Sequence, residues 1–154
     1  MLARIQNLYL CLVGLLAIGS MFLPFWSFSA DHLILISDLG TPAITGSAYA
    51  FASLAGQIFS PLTAIVSVGA IFFFQKRELQ RKLITLAIAL FLGDLFAGLT
   101  AAHFVNEHFK TLGTVVTHHP EWGFVLLLPE PLLLMFALKG VQKDEKIANA
   151  YKRL

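Results

Sequence analysis

The 154-residue chain is 57% hydrophobic and 13% charged, whereas soluble domains run near half apolar and a quarter charged. With 14 Phe and a mean hydropathy of +0.76, a fold this small in water would be covered in aggregation-prone patches, so lipid is the solvent its composition calls for. A formal charge of +2 gives no basis for a nucleic-acid partner, and the single Cys11, set in an apolar run, excludes an internal disulfide and reads as a small hydrophobe.

No charge falls between Arg4 and Asp31, which predicts a first membrane-spanning helix over about residues 7–26, close to the ~20 residues needed to cross the hydrocarbon core. The run is longer than the roughly 7 to 15 apolar residues of a signal peptide, and Phe28-Ser29-Ala30 is a poor cleavage site, so the segment is expected to stay in the mature protein. Leu33 to Ile36 is short, β-branched and bounded by turn residues, and reads as a strand. The second span covers about residues 51–74, with Ser47 as an upstream cap and Pro61 expected to kink it. The third, about 83–105, is interrupted only by Asp94. Leu112 to Thr117 reads as a second strand, expected to pair with the first above the helices. The fourth span, about 122–138, carries Pro129, Glu130 and Pro131 near its middle. The tail, 140–154, is charged but keeps Val141, Ile147, Ala148, Tyr151 and Leu154 on one helical stripe. It is expected to continue along or away from the membrane surface, its lysines drawn to anionic lipid by about 1 kcal/mol each. The sum is an all-α membrane protein of one domain, residues 1–154: a four-transmembrane-helix bundle with a small two-strand element in its outer loops.

Lys and Arg set the orientation, because short basic loops stay on the cytoplasmic side. Ten of the eleven basic residues (Arg4, Lys76, Arg77, Arg81, Lys82, Lys139, Lys143, Lys146, Lys152 and Arg153) fall at the N-terminus, the second-to-third turn or the tail, and only Lys110 falls opposite. Both termini are therefore expected in the cytoplasm of a cell whose inner membrane the chain crosses four times, with Trp26 and Trp122 at the outer interface. Lipid gives helices no hydrophobic drive to associate, so small residues mark the packing faces. Gly56, Ser60, Ala64, Ser67 and Ala70 form one such stripe and Ala89, Gly93, Ala97 and Ala101 another. Packing within the bundle is the ordinary reading of both, ahead of a dimer motif.

Asp94 lies about eleven residues in from the basic turn, or about 16 Å along a helix, and Glu130 lies midway through the fourth span. An ionised carboxylate at such depth costs at least about 2.5–3.5 kcal/mol, and its default reading is functional. No Lys or Arg lies level with either acid. The acids are then protonated, solvated in a cavity, bonded to helix hydroxyls such as Thr85 or Thr63, or paired with another protein. Two acids close together in a dry interior are how proton-carrying sites are built; a protonated acid also serves as interhelical glue or meets a partner helix. Glu130, between prolines, has a further outlet in the backbone groups that their break would free. All five histidines, His32, His103, His108, His118 and His119, fall on the outer side near Glu107 and Glu121. His103 and Glu107 share a helical face, but the set matches no known ligand spacing, and outer-loop histidines are ordinarily solvated; they are weak metal candidates, and no cofactor is implied. There is no phosphate-binding Gly-rich loop, paired-Cys motif or nucleophile elbow, so no enzyme is expected.

Arg4-Ile5-Gln6 with Leu8-Tyr9-Leu10, the Leu23-Pro24-Phe25-Trp26 exit of the first span, the basic turn Lys76-Arg77 to Lys82, and Lys143-Asp144-Glu145-Lys146 before a terminal Arg153-Leu154 together resemble domain of unknown function 4293. The resemblance covers essentially the whole chain and implies a short four-span inner-membrane protein of Bacteroidota, with no catalytic residues. A fainter likeness, to claudin-like bundles, rests on the Leu-Pro-x-Trp exit and implies strands above the helices, although the Trp and Cys signature of that loop is missing here. The leading expectation is a non-enzymatic accessory or scaffold subunit docking on a larger membrane complex or on a second copy. The alternatives are a small proton- or ion-coupled transporter built on Asp94 and Glu130, and an outer-face metal or ligand binder.

Overall fold

A computed structural model describes residues 2–29, 33–39 and 46–151. In chain order the elements are α1 (Leu2–Phe22), β1 (Trp26–Ser29), β2 (Leu33–Ile36), α2 (Ser47–Phe72), α3 (Arg77–Thr111), β3 (Thr117–Pro120), α4 (Trp122–Leu127) and α5 (Glu130–Tyr151). Four helical stretches, 5–22, 47–72, 77–111 and 122–150, are long and apolar enough to cross a membrane.

α1 ends four residues earlier than its apolar run, because Pro24 has no N–H to continue the helix. The chain turns there, with the Phe25 N–H donating to the Ile36 carbonyl at 2.7 Å, and Trp26 opens β1 instead of closing a span. The strands form one antiparallel sheet in the order β2-β1-β3, with Trp26 opposite Ile36 on one side and Pro120 on the other. The molecule is thus not all-α, and the two-strand expectation is corrected twice. Leu33–Ile36 is a strand but pairs with β1. Its expected partner, Leu112–Thr117, is displaced because α3 runs on to Thr111; Gly113 then turns the chain at a φ of 71°, Val115 is 93% exposed, and pairing begins only at Thr117.

α1 packs on α2 and α5, and α3 packs on the same two, so α2 and α5 stand at opposite corners of the bundle. α2 is a continuous helix through Pro61, and its cap position is Gly46, Ser47 being the first helical residue. The fourth span breaks between Leu127 and Glu130, where Pro129 removes an N–H. α5 then continues to Tyr151 and is fastened to the bundle, where the sequence left the tail running along or away from a surface. Val141 is fully buried, Gln6 Nε2 donates to Asp144 Oδ2 at 2.9 Å, and Arg81 pairs with Glu145 at 3.1 Å. The last three residues, with Lys152 and Arg153, lie outside the described ones, as does His32.

The distribution of polarity is inverted relative to a soluble bundle. Leu8, Leu15, Phe22, Phe51, Ile65, Phe72 and Phe96 are exposed, while Gln6, Ser20, Ser60, Thr63, Ser67, Gln80, Asp94 and Glu130 are buried. Water would reverse both sets; hydrocarbon favours this arrangement.

Candidate functional site

Both acids singled out in the sequence point into the bundle. Asp94, midway along α3, is 6% exposed, and Glu130, first residue of α5, is 0% exposed. Among the described residues neither Glu130 oxygen has a hydrogen-bond partner, so it does not use the backbone groups near the proline break. The helix hydroxyls expected to serve them direct their protons elsewhere: Thr63 Oγ1 donates to the Phe59 carbonyl at 2.9 Å and Thr85 Oγ1 to the Arg81 carbonyl at 3.0 Å. This is the usual back-bonding of helical Thr to the preceding turn. Asp94 and Glu130 are near enough to interact electrostatically.

A third carboxylate joins them that the sequence did not single out. Asp38 follows β2 in a turn that dips against α2. Asp38 and Asp94 both border Gly56: a methyl there would sit 3.2 Å from Asp38 Oδ1 and 3.7 Å from Asp94 Oδ1. Gly56, read as a helix-packing residue, thus also leaves room for two carboxylates. Ser60, one turn further along α2, stands beside Asp38. Its fully buried hydroxyl still makes no hydrogen bond of ordinary geometry, and the same holds for Ser67 two turns on. Burial pushes the Asp38 carboxyl above its ordinary value of 3.8, and the adjacent Ser60 hydroxyl offsets part of that rise.

The remaining stripe residues divide. Ala64 and Ala97 are buried, Gly93 packs against the Phe59 ring, and Ala89 is exposed. Leu10, Val13, Ile84, Phe91 and Leu134 belong to one buried apolar cluster, which continues to Phe25 and Leu127 near the sheet, and the neutral polar Gln6, Ser67 and Gln80 are buried toward the chain termini. Toward the sheet lies a second cluster of Phe28, Ile36, Tyr49, Ala52 and Val105, and the Asp38 turn passes at its margin. A row of carboxyls and hydroxyls in such a setting can take up and pass on protons, each group needing only one oxygen to hold one.

The histidines are arranged differently. His103 is exposed on α3, His108 is half-buried, and His118 and His119 lie on the exposed β3. Trp26 Nε1 donates to His118 Nδ1 at 3.4 Å, and Glu107 is paired with Lys110 at 2.7 Å. His103 and His118 share a cavity of about 180 Å³ with Trp26, Phe28, Leu99 and Asn106. Among the described residues no group of three or more His, Cys, Asp or Glu is placed to hold a metal ion.

Neither a curated protein nor a solved structure matches this chain. The family likeness read from its ends extends over the whole length: a family model matches residues 2–154, and the chain belongs to the family described as Domain of unknown function (DUF4293).

Proposed function

We propose that this protein is a multi-pass component of a bacterial inner membrane, with both termini in the cytoplasm, that binds and releases protons or small cations at its interior carboxylates, as a small ion-coupled transporter does. One observation carries the reading: Glu130 is fully buried with both oxygens unpartnered, beside a second buried acid, Asp94. Leaving such a group unsatisfied costs about 1–3 kcal/mol or more, a sacrifice that inert packing does not explain. The orientation is supported by the basic residues Lys76, Arg77, Arg81, Lys82, Lys139, Lys143 and Lys146, which share the end opposite the sheet. Reconstitution into liposomes enclosing a pH dye tests the reading. Imposed ion gradients should drive a pH change in wild type that Asp94→Asn and Glu130→Gln abolish. No flux, or equal flux in all three proteins, retires it.

An accessory subunit docked on a larger complex is the second reading. Its support is a lipid-side groove of about 560 Å³ between α1 and α2, lined by Ile18, Met21, Phe22, Pro61, Ile65 and Val68. Such a concavity suits a partner's helix packed side by side. Mild extraction and mass spectrometry of co-purifying proteins tests it, a clean monomer counting against.

A further inference from the structure

Asp94 on α3 has two other acids near it, Asp38 on the turn after β2 and Glu130 at the start of α5, and the three differ in their relation to the surroundings. Asp94 and Glu130 are buried, whereas Asp38 is half-buried on a turn whose next residue, Leu39, is 59% exposed. On the side of the chain termini the described residues around the bundle axis carry no further buried Asp or Glu, and the buried polar groups there are the neutral Gln6, Ser67 and Gln80 among Leu10, Val13, Ile84 and Leu134. Ser60 is fully buried on α2 with its hydroxyl beside the Asp38 carboxyl. Gly56 leaves a space bordered by both the Asp38 and the Asp94 carboxylate, whose Oδ1 atoms would lie 3.2 and 3.7 Å from a methyl placed there.

We propose that Asp38 is the port of the carboxylate site, the group through which protons pass between the water at the sheet end and Asp94 and Glu130, across the gap left by Gly56. This assignment rests on the proton-binding reading above and adds to it a direction and a third residue. In each transfer an O–H bond on one carboxyl breaks while one forms on the next; because Glu130 makes no hydrogen bond to Asp94 among the described residues, the step to Glu130 runs through a bridging water that gives up one proton as it takes another. The proton is favoured over a metal cation because the described acids do not converge as a metal-holding group, and a proton needs one oxygen where a hard cation needs about six. The groups facing Asp38 are Asp94 from α3 and Ser60 from α2, with Glu130 of α5 beyond Asp94; no Lys or Arg of the described residues is paired with any of these acids.

Infrared spectroscopy of the detergent-purified full chain tests the port without requiring transport. Protonated buried carboxyls give carbonyl bands that shift on exchange into heavy water, and Asp94→Asn and Glu130→Gln assign them. In wild type these bands should exchange readily. Asp38→Asn should slow their exchange by about 100-fold, the scale on which a positioned relay group acts, and Asp38→Glu should restore it. Gly56→Ala keeps every acid but fills the gap, and should slow exchange similarly. Circular dichroism and monodisperse elution establish that each variant is folded. Bands that exchange equally fast in wild type, Asp38→Asn and Gly56→Ala overturn the port alone. If wild type shows no protonated-carboxyl band between acid and neutral pH, the proton-binding reading fails first and the port falls with it.

Discussion

At the scale of single residues, chemistry was legible where a charge interrupts an apolar run. Asp94 and Glu130 stand out in sequence because hydrocarbon penalises them, and the fold turns both inward. Asp38 carries no such mark. It sits in a polar turn between two apolar segments, where an acid is unremarked, and only the tertiary placement of the turn against Gly56 brings it to Asp94. Its burial has a measurable consequence. Because its carboxyl titrates above the ordinary 3.8 in the folded protein, the folded state holds its proton more tightly than the unfolded state does. Its contribution to stability is therefore complete below the unfolded value and is lost as pH rises through the higher folded one. Asp38→Asn should flatten that part of the profile, making the protein more stable than wild type toward neutral pH and no more stable at acid pH. Thermal unfolding in detergent across a pH series would show it; parallel profiles would contradict it.

The helices and β2 are legible in the pattern of hydropathy, whereas β1 and β3 are not, for physical reasons. The four helical stretches follow from apolar runs of membrane length, although α3 begins earlier and α5 ends later than those runs because these two polar ends still pack on one another through pairs such as Arg81 and Glu145. β1 was hidden in the tail of the first apolar run. β3, Thr-His-His-Pro, has all four residues exposed and no alternation to announce it, and is a strand only because β1 offers it a partner. One close approach explains where α4 starts. A methyl at Gly123 would lie 2.7 Å from the Pro24 carbonyl oxygen and 2.8 Å from that of Leu23, so α4 seats directly on the exit of α1. Gly123→Ala should destabilise the protein by about 1–3 kcal/mol through overpacking against unyielding backbone. At Gly69, where a methyl meets nothing within 4 Å, the same change should stabilise α2 by about 0.5–1 kcal/mol. Unfolding of the two variants in one detergent tests the contrast; equal shifts would refute it.

For the whole molecule, the inverted distribution of polar and apolar side chains and the segregation of basic residues make a joint prediction about sidedness. With Cys11 replaced by Ala, Val115→Cys at the sheet end should react with a membrane-impermeant maleimide in intact spheroplasts, and Lys143→Cys should react only after lysis. The reverse pattern would invert the topology and move the Asp38 port to the cytoplasmic side. The sheet has a further consequence, in time. β1 lies between β2, which follows it almost at once, and β3, whose His118 bonds Trp26 from 92 residues away. At about 5–20 residues per second of synthesis, the Trp26–Ser29 edge stands open for roughly 5–20 s. The nascent hairpin must wait, half-zipped, for two more helices to be made. A chaperone or a sister chain that offers a strand in that interval competes directly with the protein's own last stitch.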